Sequence, residues 1–189
     1  MSHLMQRYIR TVDAVNRRIG RVMMYGIFIL MAILLWSSFS KTFFVPSLWT
    51  LEMAQFVMVT YYILGGPYSI QLGSNVRMDL LYGEWSLRKK AWFDLFTVLF
   101  LIFYLGVLFY GAVASTAYSL GYWGSAPFSF FSGLVTGAEE VGRLEVSSSA
   151  WRPYMWPIKT MMTLGIFLML LQSISELFKD VLRINGEEI

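Results

Sequence analysis

Apolar residues run along this chain in four long blocks separated by short polar stretches. The first, 22–45, has no charge from Val22 to Ser40 and stays apolar past Lys41 through Phe43, Phe44 and Val45. The second, 50–73, includes 24 residues without a charge between Glu52 and Arg77. The third, 92–121, lies in a stretch with no charge between Asp94 and Glu139. The fourth, 155–178, is interrupted by Lys159 near its start and ends in Gln172, Ser173, Ser175 and Glu176. About 20 apolar residues in helical form cross a hydrocarbon core of roughly 30 Å. Helices are preferred there because they satisfy their own backbone hydrogen bonds. The pattern predicts an all-α integral membrane four-helix bundle, a single membrane domain covering 1–189.

The blocks differ internally. In the second, Glu52 and Gln55 stand three apart, which places them on one helix face. Gly65, Gly66 and Pro67 soften its middle, as a kink or a site of close packing. Gln71, Asn75, Arg77 and Asp79 crowd its far end. The other three spans are expected to pack around this one. The third block is too long for the core if helical throughout, roughly 48 Å for 92–123 at 1.5 Å per residue. It must tilt or project. Gly106, Gly111, Ala112, Ala114, Ser115 and Ala117 would let a neighbouring helix approach it closely.

The connections carry their own signals. In residues 1–21, Met5, Tyr8, Ile9, Val12, Val15 and Ile19 recur at helical spacing. That segment is an amphipathic helix on the membrane surface or a cytoplasmic extension of the first span. Pro46 ends the first helix, and Trp49 falls where an interfacial aromatic belongs. Residues 79–90 mix Leu, Tyr and Trp with charge, as an interfacial segment does. The longest connection, 121–153, is rich in Gly and Ser, carries three glutamates, and starts a new local element at Ala126-Pro127. It is expected to be partly helical and to lie on the outer membrane face.

Composition supports the bilayer as solvent. Of 189 residues, 57% are hydrophobic and only 14% charged, against about a quarter charged in a soluble domain. The amino-terminal segment, the 77–94 loop and the tail beyond Glu176 hold eleven of the 15 Lys and Arg; the other two connections hold four. That asymmetry places both termini in the cytoplasm. A multi-pass membrane protein follows.

Chemistry is scarce. The chain has no cysteine and one histidine, His3. Haem and histidine-based metal sites lack ligands, and no cofactor is expected. Glu139-Glu140 has no neighbouring acid or base to make it catalytic. No ionisable group sits at mid-depth of a span, where a proton relay would need one. Glu52 stands at a helix end, free to pair with Lys41 or with a basic group on a partner. Arg77, oriented by Asp79 beside Asn75, can hold a lipid phosphate or a partner carboxylate. Most tryptophans, Trp49 and Trp151 among them, fall at span ends as an aromatic belt. The chain reads as a non-enzyme that serves a partner.

Several of these residues also carry a family resemblance. Trp49, Glu52 and Gln55 open the second span, and Asn75-Val76-Arg77-Met78-Asp79-Leu80 closes it. Later come Glu145-Val-Ser-Ser-Ser-Ala-Trp151-Arg152-Pro153 and Leu170-Leu-Gln172. In this order, on a four-span layout, the chain resembles the small membrane (Q-type) subunit of a tripartite ATP-independent periplasmic (TRAP) transporter. The 124–144 stretch is longer than that pattern. The resemblance implies an accessory scaffold that packs beside a large membrane subunit carrying the sodium and substrate sites. It implies a periplasmic binding protein that delivers an organic anion of the carboxylate class. Glu52, Gln55, Asn75, Arg77, Asp79, Trp49, Trp151 and Arg152 are then partner or lipid contacts, with phospholipids among the partners. The alternatives are a self-sufficient small carrier or channel, and the non-catalytic membrane anchor of a redox enzyme.

Overall fold

The computed structural model describes residues 2–73 and 87–184. All of its regular elements are helices: α1 (Ser2–Met23), α2 (Gly26–Phe43), α3 (Thr50–Gln71), α4 (Leu87–Ser119), α5 (Pro127–Thr136) and α6 (Trp156–Ile184). Three helical stretches among the described residues are long and apolar enough to cross a membrane: His3–Phe43, Trp92–Ser119 and Trp156–Ile184. α3 has 22 residues, about 33 Å of helix. It is long enough to span, but its apolar stretch is broken by Glu52, Gln55 and the Gly65-Gly66-Pro67 run.

α1 and α2 form nearly one rod. The Tyr25 N–H donates to the Val22 carbonyl at 3.1 Å and the Phe28 N–H to that of Tyr25 at 3.1 Å, so the ladder tightens for one turn and resumes. The 41-residue stretch is about 60 Å long, twice the hydrocarbon core. Of the two expectations for the amino-terminal segment, the extension of the first span is the observed one. Ile9, Asn16 and Gly20 are buried, and α1 packs against both α3 and α6.

α3 runs through Gly65-Gly66-Pro67 without interruption. Proline has no N–H, so the Ile63 carbonyl four residues back loses its helical donor. α6 closes on that spot. A Cβ added to Gly165 would fall 2.1 Å from Ile63 Cγ2 and 3.0 Å from the Ile63 oxygen, so only glycine permits the approach. One turn on, the Met169 sulfur lies against Gly66.

Across the molecule the order of packing is α2, α3, α6, α4, with α1 laid against the middle pair. The central place expected for the second span is therefore shared: α4 leans on α6. Leu105, Val113, Thr116 and Ala117 are buried on that side of α4, and the Thr116 and Thr163 hydroxyls meet at 2.8 Å. Phe96, Phe100, Phe103 and Val107 stay exposed on the other side. Gly106 and Gly111 have open space where a side chain would go. The close approach expected at those two glycines occurs instead at Gly165.

Between α4 and α6 the chain folds back. Gly121 turns with φ 89° and lies so near the Gly142–Arg143 backbone that a Cβ would come within 2.6 Å of it. Pro127 opens α5, and the Tyr122 and Phe130 rings stack at 4.7 Å. Residues 138–155 then cross the end of α4 as a strap. The Gly142 and Glu145 N–H groups donate to the carbonyls of Leu120 and Ser119, and Val146 bridges to Tyr154.

Candidate functional site

Polar side chains gather at the two ends of the helix row. At one end, here the basic end, α1 meets α6. Gln172 is fully buried and accepts from Asn16 Nδ2 at 2.7 Å. Its own Nε2 donates to Asp13 Oδ1 at 2.9 Å and to Glu176 Oε1 at 3.0 Å. Lys179 Nζ lies 2.8 Å from Asp13 Oδ2 and 2.7 Å from Glu176 Oε1. Ser175 donates to Asp13 at 3.1 Å, and Tyr8 donates to the Leu171 carbonyl at 3.1 Å.

The spacing explains the assembly. Asp13 and Asn16 stand three apart on α1, and Gln172, Ser175, Glu176 and Lys179 repeat at three and four on α6. Both sets fall on the faces that touch. Two carboxylates share one ammonium, and the Gln172 amide bridges them to Asn16, whose own Oδ1 is buried without a partner among the described residues. Within this network the ammonium and both carboxylates are each committed to a partner across or along the helices. The arrangement is a lock between helices, and buried pairs of this kind are costly to open.

At the other end, here the loop end, the strap is tied to the helices by fewer bonds. Glu52 is 8% exposed. Its Oε1 accepts from Ser147 at 3.3 Å, while Oε2 is buried without a partner. Lys159 pairs with Glu145 and lies 5.4 Å from the Tyr118 ring centre. Beside them Ser37, Ser40, Ser47 and Thr50 exchange hydroxyl bonds, 2.9 Å between Ser47 and Thr50. This cluster holds the α2–α3 connection closed.

The residues named from the sequence are therefore scattered. Glu52 is buried and bonded to Ser147, neither to Lys41 nor to solvent. Gln55, expected to share its face, is exposed. Trp49 and Trp151 are 38% and 40% exposed. Arg152 is exposed and takes φ 51°, a left-handed conformation that costs a residue with a Cβ about 1–2 kcal/mol. Its N–H is held by the Ser149 hydroxyl at 3.3 Å. Asn75, Arg77 and Asp79 lie outside the described residues. Gln172, Ser173 and Ser175, read as the end of the fourth span, are interior residues of a helix that continues to Ile184. Asp13, Asn16 and Lys179 went unmarked. The signal was present, because Asn16 continues the Ile9–Val12 stripe by four and interrupts an apolar face with an amide.

Long apolar helices, polar contacts confined to the ends and no cluster of three metal-ligating side chains among the described residues define a multi-pass membrane protein of the helical-bundle class. The chain belongs to the DctQ family, "Tripartite ATP-independent periplasmic transporters, DctQ component", which it matches over residues 30–183. It is thus the small membrane component of a TRAP transporter. That family works in a tripartite system with a large membrane subunit and a periplasmic binding protein. No curated protein and no solved structure matches the chain.

Proposed function

We propose that this chain is the scaffold subunit of a sodium-coupled importer of an organic anion, a carboxylate in class. It packs beside the large subunit, which carries the sodium and solute sites, in the bacterial inner membrane. α2, α3, α4 and α6 all cross the bilayer, with both termini and the 77–94 loop in the cytoplasm. The excess of basic residues on that side supports this orientation. The basic end then faces the cytoplasm and the strap faces the periplasm, where the binding protein docks.

The observation that carries the reading is the distribution of charge. From Arg21 to Lys41, Glu52 to Arg77, Asp94 to Glu139 and Lys159 to Glu176 there is no ionisable group except tyrosine. A carrier that moves an anion or a proton needs polar groups at mid-depth. Here the middle offers helix packing, and the exposed faces of α2 and α4 offer apolar area to lipid and to a large partner. Glu52, Gln55, Asn75, Arg77, Asp79, Trp49, Trp151 and Arg152 serve in shape, lipid contact or docking, with no contact to the transported solute.

The test is assembly against turnover. The tagged chain is expected to co-purify with a large membrane protein and to import nothing when reconstituted alone. Arg77→Ala should weaken that assembly and leave solute affinity unchanged. A changed solute preference with normal assembly would move the solute site into this chain.

A further inference from the structure

We infer that the basic end contains a phosphate-binding site formed within this subunit by α1, α3 and α6. A cavity of about 380 Å³ is lined there by Asp13, Arg17, Arg21, Tyr68, Gln71, Leu72 and Lys179. Three of its linings are cationic and one is anionic. Lys179 is already shared between Asp13 at 2.8 Å and Glu176 at 2.7 Å, a trio with one net negative charge, so it adds no free cation. Arg17 and Arg21 make no ion pair among the described residues, so the cavity presents two uncommitted guanidinium groups on one helix face, four residues apart. Two such forks match the oxygens of a tetrahedral anion better than point charges would.

The rest of the wall fits that ligand. The Tyr68 ring is pressed against Gly20, where an added Cβ would fall 2.5 Å from it. That fixes the ring between α1 and α3, with the hydroxyl as a further donor. Gln71 buries its side-chain carbonyl oxygen without a partner. As a lining residue it can offer its amide NH₂ to an anion. Position completes the case. Arg21 is the last charge before a charge-free run of 19 residues, so the cavity lies level with one boundary of the apolar region. Phospholipid phosphates occupy that plane. A soluble phosphate compound approaching from the water side offers the same chemistry.

The test uses the full-length chain in detergent, stripped of lipid, with binding followed by native mass spectrometry. The probes are phosphatidylglycerol, diacylglycerol of the same chain length, and inorganic phosphate. Phosphatidylglycerol is expected to bind and diacylglycerol not to. Arg17→Gln/Arg21→Gln should weaken the phosphate-bearing probe by roughly tenfold or more, the equivalent of about 1.4 kcal/mol. If inorganic phosphate binds as well as the lipid and shows the same loss, the site stands and its ligand is soluble. Tyr68→Phe, which removes one hydroxyl, should cost the phosphate probes roughly threefold to tenfold, the worth of a single hydrogen bond. It provides an independent reading if the double variant does not fold. Diacylglycerol binding equal to phosphatidylglycerol, or phosphate-probe binding unchanged in these variants, overturns the assignment.

Discussion

The two ends of this helix row are tied in different ways. At the basic end, helix meets helix, and five polar side chains of α1 and α6 close a network around Lys179. At the loop end, a strap of irregular chain meets helix tips through two backbone bonds to the end of α4, one hydroxyl–carboxylate bond and one ion pair. The first network is continuous and mostly shielded: the side chains of Lys179, Asp13 and Glu176 are only 11–20% exposed. The second is discontinuous; among the described residues each end leaves a buried oxygen unmatched, Asn16 Oδ1 in the first and Glu52 Oε2 in the second. Shielding raises the worth of a completed charge network and the cost of a broken one. The basic end should therefore behave as a fixed clamp and the loop end as an adjustable cover. In the proposed orientation, that division places the clamp on the cytoplasmic side and the cover on the side of the binding protein.

The comparison breaks most sharply at Lys179. Lys179→Met leaves Asp13 and Glu176 facing each other without a cation and should cost about 3–5 kcal/mol, read as lost resistance to denaturation in mild detergent. A loss below about 1 kcal/mol would put the basic end on a par with an exposed surface pair. Gly165→Leu comes next. It forces α6 away from the Ile63 carbonyl and should cost at least about 1–3 kcal/mol of overpacking. Helix separation in that variant can be read by cross-linking cysteines placed in α3 and α6, since the natural chain has none. Gln172→Leu should cost about 1–3 kcal/mol by stranding the Asn16 amide. Ser147→Ala removes the one partner that the Glu52 carboxylate has among the described residues, a hydroxyl at a long 3.3 Å, and should cost about 1–3 kcal/mol, with the loss confined to the strap. Its readout is faster proteolysis of the 138–155 strap with the helices intact.

Much of the architecture was legible beforehand because the bilayer imposes a strong rule. Runs of twenty apolar residues have few other uses, and the all-helical membrane class and the transporter family both followed from them and from the order of weak motifs. The contacts were less legible. Glycine marks close approach only where a partner arrives, and sequence alone does not say which stripe meets which. Gly106 and Gly111 face open space while Gly165 takes the contact. Gln172 and Ser175 looked like a helix tapering into water because polarity near a span end usually means that. Their burial depended on α1 continuing beyond the first apolar run and packing against α6, a long-range fact. Glu52 was recognised as unusual, but its donor, Ser147, is 95 residues away in a loop with no periodic signal.

The most direct measurement is solute uptake by vesicles containing this chain alone, the large subunit alone, or both, each with the binding protein and a sodium gradient. The account predicts no uptake with this chain alone and sodium-dependent uptake when both are present. Gradient-driven uptake by vesicles that hold only these 189 residues would contradict it.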